Sequence, residues 1–574
     1  MPKFLTYSDK HYAIRPGLGQ ITIKGMLARS AGLYPYKTAL QMRRGEEFYK
    51  VTYRELKERA DQLSAGLARR GLGPGDRVAI LGENCPEWIE SYMAVVGMGA
   101  VGVPLDSQLK TQEIRHILTD SESKALIVSG NYAETAAEAA GGLPMLKHVF
   151  PMNNLSKLYE PSEPRTLKRQ VQLEDLAVII YTSGTTGSSK GVMLTHGNIM
   201  SDVDASYQTF RFDHHDSFIS VLPLHHTFEA TCGMLIALYA GCTITYARSL
   251  KPKEIIADIR DAQCTIMVGV PLLFEKIYLG ILRGVREKDW LTRMAFAASG
   301  GVVKSIKTVT GRRAGGKLFK SLREKAGMSS LRLMVSGGAA LNIEVARGFE
   351  ILGFDLVQGY GLTETSPVLT TNFVKDPDHG SVGAAVPGVE LKIIDADANG
   401  VGEIAARGPN LMQGYYKNPA ATQAVMKDGW FLTGDLGYID ARGCLFITGR
   451  AKNVIVSAAG KNIYPEEVEA QLLKSPYIAE ALVMGEMNAQ TSREEVHAMI
   501  YPASEAFDDY AVKHKIKVDE ALVEKIIKDE VRRECSNLAD YKRVKHFSVR
   551  EEEFPKTTTK KIKRYLFAGK KVSV

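Results

Sequence analysis

Cysteine is scarce in this sequence, and nothing in its placement suggests a use for it. Only six of the 574 residues are cysteine, with no C-x-x-C pair and no Cys/His spacing typical of a zinc site. Such isolated cysteines predict reduced, mostly buried thiols in a cytoplasmic protein. They are Cys85, Cys232, Cys242, Cys264, Cys444 and Cys535.

A strong charge excess, a secretory signal and a clear membrane span are also missing. The formal net charge of +8 suits anionic small molecules or a weak attraction to a membrane surface, but it is too small for nucleic acid binding. The first 17 residues lack the apolar core of a secretory signal. One uncharged stretch, 230–247, reaches 18 residues, yet Gly233, Gly241 and several threonines favour a buried helix, a glycine turn and a strand. We therefore expect a soluble protein.

The order of segments predicts an α/β protein of two domains. Strand-like and helix-like runs alternate over much of the first 400 residues, which is typical of parallel-rich sheets covered by helices. From about Gly380 short strands and turns follow, and after Lys461 the pattern changes to helix, strand, helix, strand. The sequence thus predicts a large N-terminal domain with a small strand-rich subdomain (1–451) and a mobile α+β C-terminal domain (452–574).

A loop rich in glycine and hydroxyl groups follows the strand-like run 177–181. The loop reads YTSGTTGSSKG from Tyr181 to Gly191 and offers three glycines, three threonines, three serines and one lysine. Glycines let backbone N–H groups converge on an oxyanion, while hydroxyls and a lysine add donors and charge. The spacing excludes a Walker A loop. We interpret the loop as a phosphate-binding loop, the alternative being a flexible surface loop.

Further turns of this kind follow or flank predicted strands. They read VSGGAA (335–340), QGYGLTETSP (358–367), WFLTGDLG (430–437) and TGR (448–450). Because ligands of open α/β sheets bind at the carboxyl ends of strands, these loops could line one cleft.

These motifs, in this order, resemble those of the adenylate-forming superfamily. That group contains acyl-CoA synthetases, peptide-synthetase adenylation domains and beetle luciferases, and the resemblance runs from about residue 25 to 565. It is strongest to bacterial-type long-chain fatty acyl-CoA synthetases. The resemblance implies that a carboxylate and MgATP form an acyl-adenylate and pyrophosphate. A thiol, usually that of coenzyme A, then displaces AMP.

The resemblance assigns nucleotide-binding roles to three groups of residues. Donors to the phosphates would be Thr182, Ser183, Gly184, Thr185, Thr186 and Lys190. The adenine would lie against Gly337, Gly338 and Ala339, with Gly359, Tyr360 and Gly361 on its other side and Tyr360 stacked on the ring. The ribose would bind Asp435, assisted by Arg450.

Two further assignments place the metal and the α-phosphate. Thr363 would donate to the α-phosphate, and Glu364 would hold Mg²⁺ as a hard oxygen ligand. The metal would offset charge as pyrophosphate leaves.

The C-terminal motif FPKTTTKKIKR would supply the catalytic lysine. Alignment with the family selects Lys561, although Lys560 stands where the family commonly has glycine. Lys556 and Lys563 lie close by, so charge alone does not distinguish the candidates. The alternative interpretation of this tail is a solvated basic end attracted to membranes.

A domain rotation would separate the two half-reactions. Lys452 matches the family's hinge position, and rotation about it would remove Lys561 and bring in the loop VSAAGKNIYPEE, where Gly460 would leave room for the pantetheine thiol.

The acyl substrate is indicated by two features. His226, in PLHHTFE, matches a histidine near the substrate carboxylate, although it could also be a packed loop residue. The continuation to Glu229 and the long basic segment 279–330 are similar to long-chain enzymes, and amphipathic helices there could rest on lipid or be solvated.

We therefore predict an ATP-dependent fatty acid–CoA ligase that prefers long chains. Medium-chain or aryl acids, and an acyl carrier protein as the acceptor, are the alternatives; a luciferase-type oxygenase, a peptide-synthetase domain and an inactive nucleotide-binding scaffold are less favoured. The expected partners are a fatty acid, ATP with Mg²⁺ and coenzyme A, with no nucleic acid. Weak peripheral association with the inner face of a membrane and a homodimer stay open.

Overall fold

A computed structural model describes most of the chain, in two compact units. It covers residues 17, 19–161, 169–182, 189–286, 301, 315–456, 461–488, 493–556 and 561–567, and the backbone of 4–6. The larger unit comprises Phe4–Leu391 and Ala406–Phe431, and the smaller unit comprises Met1–Lys3, Lys392–Ala405 and Leu432–Val574. The predicted α/β class, with a smaller C-terminal domain, is confirmed. The boundary at Lys452 stays a prediction.

The strands of the described chain are numbered in order. The first fourteen are β1 (Phe4–Thr6), β2 (Thr38–Arg44), β3 (Glu47–Thr52), β4 (Arg77–Leu81), β5 (Val101–Leu105), β6 (Ala125–Val128), β7 (His148–Pro151), β8 (Leu176–Thr182), β9 (Lys190–Thr195), β10 (Ser217–Ser220), β11 (Thr243–Tyr246), β12 (Ile266–Gly269), β13 (Leu333–Ser336) and β14 (Leu356–Gly361). The others are β15 (Val368–Thr371), β16 (Ala384–Ala385), β17 (Glu390–Ile394), β18 (Gly402–Arg407), β19 (Gly414–Tyr415), β20 (Met426–Lys427), β21 (Trp430–Ile439), β22 (Leu445–Arg450), β23 (Ile455–Val456), β24 (Asn462–Ile463), β25 (Ile478–Asn488), β26 (Arg493–Pro502) and β27 (His546–Val549).

The α-helices are numbered in the same way. They are α1 (Ile23–Leu33), α2 (Tyr53–Arg69), α3 (Pro86–Gly97), α4 (Thr111–Asp120), α5 (Ala133–Ala140), α6 (His196–Thr209), α7 (Ile236–Ala240), α8 (Pro252–Ala262), α9 (Pro271–Arg286), α10 (Gly315–Leu318), α11 (Lys320–Lys325), α12 (Ile343–Ile351), α13 (Pro419–Val425), α14 (Pro465–Leu472), α15 (Ser504–His514) and α16 (Glu520–Cys535). Six 3-10 turns and one π-helix, Glu229–Leu235, complete the described helices.

Two large sheets form the frame of the larger unit. One has the order β16-β15-β14-β13-β12-β10-β11-β2-β3, and the other has the order β19-β9-β8-β5-β4-β6-β7. Pairing is parallel from β11 through β14 and from β7 through β8, while the pairs β8–β9, β9–β19 and β14–β15 are antiparallel. The loops that follow β8, β13 and β14 therefore start at carboxyl ends of strands, where α/β proteins bind ligands.

Helix α2 shows how local sequence builds the layers around these sheets. Thr52 caps it by accepting a hydrogen bond from the Glu55 backbone N–H, and the Glu55 carboxylate accepts one from the Thr52 N–H at 2.7 Å. Its buried residues include Leu56 and Leu63, seven positions apart on one face. The helix therefore faces the core with a continuous apolar stripe.

The uncharged stretch 230–247 folds inside the core. It contains most of the π-helix, then α7, a left-handed turn at Gly241 with φ +77°, and β11. Glycine is required at position 241 for two reasons. The backbone there is left-handed, and a Cβ atom would lie 2.3 Å from the Tyr34 ring. The predicted buried helix, turn and strand are confirmed. Among the described residues, no helix is both long and apolar enough to cross a membrane.

The smaller unit contains an α+β core. Strands β25, β26 and β27 form a sheet whose first pair is antiparallel and whose second is parallel, and α14 and α16 contribute buried residues to its core. Helix α15 was not predicted. Strands β17, β18, β21 and β22 follow one another in a separate sheet. All six cysteines of the chain are buried and free.

Two valines on helices of the smaller unit test the position of its core. Val468 on α14 is fully buried, whereas Val512 on α15 is 79% exposed. Val468→Ala should lower the free energy of unfolding of the smaller unit by about 2 kcal/mol, because it removes two buried methyl groups and leaves a cavity. Val512→Ala should change it by less than about 0.5 kcal/mol. Hydrogen exchange in β25 and β26 during urea titration measures both; equal effects would contradict this core.

Candidate active site

The ends of the predicted phosphate-binding loop are held in register by the hairpin β8–β9. Thr182 and Lys190 are Cα partners across the two strands, and both are half-buried. The Thr182 hydroxyl donates weakly to the Lys190 carbonyl at 3.5 Å. Ser183, Gly184, Thr185 and Thr186 lie outside the described residues. The predicted loop thus begins at the end of β8 and ends at the start of β9, where the pairing of these two strands stops.

Lys190 and Glu364 are linked through a residue that sequence analysis missed. The Lys190 ammonium lies 5.0 Å from the centre of the Tyr415 ring, and the Tyr415 hydroxyl donates to Glu364 Oε1 at 2.8 Å. Tyr415 belongs to β19, which pairs with β9. Within the larger unit, the predicted phosphate-binding lysine and metal-binding carboxylate therefore share one neighbour.

The predicted adenine platform follows β13. Gly337 is buried and its Cα faces the Phe228 ring, because a Cβ there would lie 2.7 Å from that ring. Gly338 has φ +83°, and Gly338 and Ala339 are exposed. This part of the loop therefore presents backbone, without bulky side chains, at the carboxyl end of β13.

Gln358, in β14, fastens this loop from the next strand. Its side-chain oxygen accepts from the Leu341 N–H at 3.4 Å, and its amide nitrogen donates to the Ser381 carbonyl at 2.7 Å. Gly359 and Tyr360 continue β14 and are half-buried.

The segment with Thr363 and Glu364 is a tight 3-10 turn that follows β14. A Cβ atom at Gly361 would lie 1.7 Å from the Pro367 carbonyl oxygen, so the chain can double back only at a glycine. The Thr365 hydroxyl donates to the Pro367 carbonyl at 2.6 Å, and the Met412 N–H donates to the Glu364 carbonyl at 2.9 Å. These bonds leave the half-buried Thr363 and Glu364 side chains on a braced turn.

The loop with His226 is fastened by Asn84. The Asn84 amide donates to the Leu222 carbonyl at 2.6 Å and to Ser220 Oγ at 3.0 Å, and its oxygen accepts from the Leu224 N–H at 3.0 Å. His226 is half-buried, with its ring centre 4.5 Å from that of the buried His225.

Glu229, the acid of the same motif, is a neutral core residue. The Ser220 hydroxyl donates to Glu229 Oε1 at 2.6 Å, and Ser220 in turn accepts from Asn84. Complete burial raises the pKa of the Glu229 carboxyl to about 8, against the lowering effect of that hydrogen bond. Glu229 therefore supports the loop from inside.

A small, mainly apolar pocket lies beside this loop in the larger unit. Its wall is formed by α3, β5, β8, β9, α6 and the π-helix, together with His225 and Thr227. His225 Nε2 is buried and lies 3.5 Å from Asp106 Oδ1, and Thr227 Oγ1 is buried with no hydrogen-bond partner among the described residues. Burial lowers the pKa of His225 well below its usual range, and the neighbouring His226 lowers it further. The wall of this small pocket is thus mainly apolar, with two polar atoms in it.

The smaller unit brings Asp435 and Arg450 together. They are Cα partners in the pair β21–β22, and Arg450 Nε lies 2.7 Å from Asp435 Oδ1. The Asp435 side chain is buried and the Arg450 side chain is partly exposed. The two residues predicted to bind a ribose thus form one ion pair.

The lysines of the C-terminal motif have different environments. Lys556 is tied to Glu480 and, at 2.9 Å, to Glu553, whereas Lys561 is exposed. The choice of Lys561 as the catalytic lysine stays a prediction. Lys560 and the predicted Gly460 lie outside the described residues.

Lys452, the predicted hinge, begins no regular element. It lies in the 3-10 turn Ala451–Asn453, directly after β22. Partial burial and the neighbouring Arg450 lower the pKa of Lys452, against the attraction of Asp435.

Comparison with known proteins identifies the family. The profile described as AMP-binding enzyme matches residues 27–416, and that described as AMP-binding enzyme C-terminal domain matches 467–561. The chain belongs to the AMP-binding enzyme family. The predicted resemblance to adenylate-forming enzymes is therefore confirmed.

Named relatives of this family are similar over most of the chain. The chain is 31% identical to the long-chain-fatty-acid–CoA ligase FadD15 of Mycobacterium bovis, covering 79% of this chain and 78% of the relative. It is 32% identical to a feruloyl-CoA synthase of an Amycolatopsis species, covering 80% and 84%. The crystal structure of ATP-bound MatB from Rhodopseudomonas palustris superposes with a TM-score of 0.76 at 26% identity, covering 95% and 98%.

The neutral state of Glu229 has a consequence for stability at different pH. With a pKa of about 8 in the folded chain and about 4.5 unfolded, Glu229 keeps its proton only in the folded chain between these values. Stability should therefore fall as pH rises through this range. Glu229→Gln should lose less thermal stability than wild type between pH 5 and 8, and Glu58→Gln, an exposed control, should behave as wild type. Parallel pH curves for Glu229→Gln and wild type would contradict a neutral carboxyl.

Proposed function

We propose that the protein is an ATP-dependent acid–CoA ligase that prefers long-chain fatty acids. A substrate carboxylate oxygen attacks the α-phosphorus of ATP, and pyrophosphate leaves. The thiol of coenzyme A then attacks the acyl carbon of the acyl-adenylate, and AMP leaves. The observation that carries this proposal is the contact of Tyr415 with both Lys190 and Glu364, beside the ends of the phosphate-binding loop.

Glu364 fits the role of a magnesium ligand. Its carboxylate is half-buried, and Tyr415 orients it by donating to one oxygen. In the described part of the chain no group donates to Oε2, which suits a hard cation. Bound Mg²⁺ would offset the charge of the departing pyrophosphate. Lys190 and the loop 182–186 are proposed to hold the β- and γ-phosphates, and Thr363 the α-phosphate.

The remaining nucleotide contacts are proposed from matched motifs and local geometry. The exposed backbone at Gly338 and Ala339 suits one face of a planar adenine, and Tyr360 is proposed to cover the other. Asp435 is proposed to accept from the ribose hydroxyls, with Arg450 fixing its carboxylate through their 2.7 Å ion pair.

Lys561 is the proposed catalytic residue of the first half-reaction. Its exposed ammonium would bridge the carboxylate and the α-phosphate as negative charge develops between them. Rotation about Lys452 is proposed to replace Lys561 by the segment with Gly460 for thioester formation.

The acyl preference is supported by the relatives. We place the acyl chain along the apolar wall beside His225, where each buried methylene would contribute about 0.8 kcal/mol, so that wall residues would set chain length. The relative named as a long-chain fatty acid ligase supports a fatty acid, whereas the feruloyl-CoA synthase keeps aryl acids as the second candidate. An acyl carrier protein as acceptor, a cytoplasmic location with weak membrane association and a homodimer remain predictions.

The first test is pyrophosphate release with MgATP across fatty acids of two to eighteen carbons, benzoate and ferulate. We expect sustained turnover only with coenzyme A, with the highest kcat/KM for a long chain. A stoichiometric burst that coenzyme A does not relieve would indicate another acceptor. No release with any acid would contradict the proposed function.

Lys561→Ala should separate the half-reactions. Adenylation should fall by at least about 100-fold, because the transition state loses a positioned charge, while transfer from supplied acyl-AMP to coenzyme A should stay close to wild type. Lys563→Ala is the matched control and should retain both activities. Equal losses of both half-reactions in Lys561→Ala would contradict the two-step use of this lysine.

A further inference from the structure

Tyr415 lies where the phosphate-binding and metal-binding groups of the larger unit meet. Its hydroxyl donates to Glu364 Oε1 at 2.8 Å, and its ring face is 5.0 Å from the Lys190 ammonium. The side chain is only 7% exposed. A buried tyrosine that contacts a carboxylate with its polar end and a cation with its ring can hold both groups in place.

The backbone around Tyr415 is fixed from two directions. The pairing of β19 with β9 sets Tyr415 opposite Val192, and the Tyr415 N–H donates to Thr422 Oγ1 at 2.9 Å. Gly414 has φ +146° and a Cβ there would lie 2.9 Å from Thr422, so this close approach requires glycine. The hydroxyl of Tyr415 is therefore presented by a rigid element.

Without such a residue, Lys190 and Glu364 would attract each other. A lysine ammonium close to a carboxylate forms an ion pair, and that pair would occupy the oxygen needed by a metal ion and the charge needed by a phosphate. Within the described residues Lys190 makes no ion pair, and its ammonium lies over the Tyr415 ring instead. A hydrogen bond to one carboxylate oxygen also leaves the other in a defined direction.

We propose that Tyr415 is a positioning residue that keeps Glu364 oriented for Mg²⁺ and apart from Lys190. This inference rests on the proposed function, in which Glu364 binds the metal and Lys190 the phosphates. Tyr415 acts through these two side chains and takes no part in the chemistry. Its hydroxyl sets the affinity for the metal–nucleotide complex, and its ring sets the position of the lysine.

The test compares Tyr415→Phe with Tyr416→Phe. Phenylalanine at 415 keeps the ring and the packing but removes the donor to Glu364. The neighbouring Tyr416 is half-buried and has Lys417, not Lys190, 5.1 Å from its ring centre, so Tyr416→Phe removes a hydroxyl without touching Glu364. Matching thermal midpoints of the two variants and wild type establish that all three are folded.

Calorimetry gives a readout that does not depend on turnover. The affinity for α,β-methylene-ATP is measured with and without Mg²⁺. We expect Mg²⁺ to strengthen binding in wild type and Tyr416→Phe, and the gain to be about tenfold smaller in Tyr415→Phe, since removing a support of a metal ligand typically costs this much. Half-saturating Mg²⁺ for pyrophosphate release should rise by a similar factor, with the KM for the acid unchanged.

Three outcomes would count against the inference. An equal gain from Mg²⁺ in Tyr415→Phe and wild type would overturn it and leave the proposed function intact. Weaker binding of Tyr415→Phe by the same factor with and without Mg²⁺ would also overturn it, because the hydroxyl would then act on the nucleotide site in general. A wild-type chain that does not bind the analogue would overturn the proposed function, and this inference with it.

Discussion

The hydrogen-bonded pairing along β9 is the constraint that positions the candidate site residues Lys190 and Tyr415 of the larger unit. β9 pairs with β8 along one edge and with β19 along the other. Gly191 is the tightest point, because a Cβ there would lie 2.8 Å from Ile179 and 3.3 Å from Tyr416, and its carbonyl accepts from the Tyr416 N–H at 2.7 Å. The position of the lysine at the start of β9, and of the tyrosine beside it, follows from three strands that only glycine allows to approach so closely.

Much of the fold could be predicted because a buried strand has a recognisable local sequence pattern. Runs such as 177–180 and 333–335 are apolar and short, and each is followed within four residues by a glycine, so their type and the loops at their ends are readable from a few residues. The π-helix at 229–235 was not readable, since an apolar run buried on every side gives no period that separates it from an α-helix. Helix α15 was missed because Phe507 is its only buried residue, which leaves no apolar stripe.

The site was predictable where a motif carries it and not where distant segments meet. Lys190, Glu364 and the pair Asp435–Arg450 stand in recognisable motifs, and the last two are indeed adjacent across a strand pair. Asn84 contacts partners about 140 positions away in sequence, and Tyr415 contacts Glu364 across 51 positions. No local pattern encodes such contacts, because they arise only when loops from different strands are brought to one edge.

The contacts of Lys556 limit which segments of the smaller unit can be exchanged separately. Lys556 is tied to Glu480 and Glu553 and forms an isolated backbone bridge with Ile562, next to Lys561. Arg564 is bound in turn to Glu469, on helix α14. A C-terminal segment without Lys556 and Arg564 would therefore leave Glu480 on β25 and Glu469 on α14 without these cationic partners. The end of the chain, α14 and β25 thus have to be exchanged together if any one of them is exchanged.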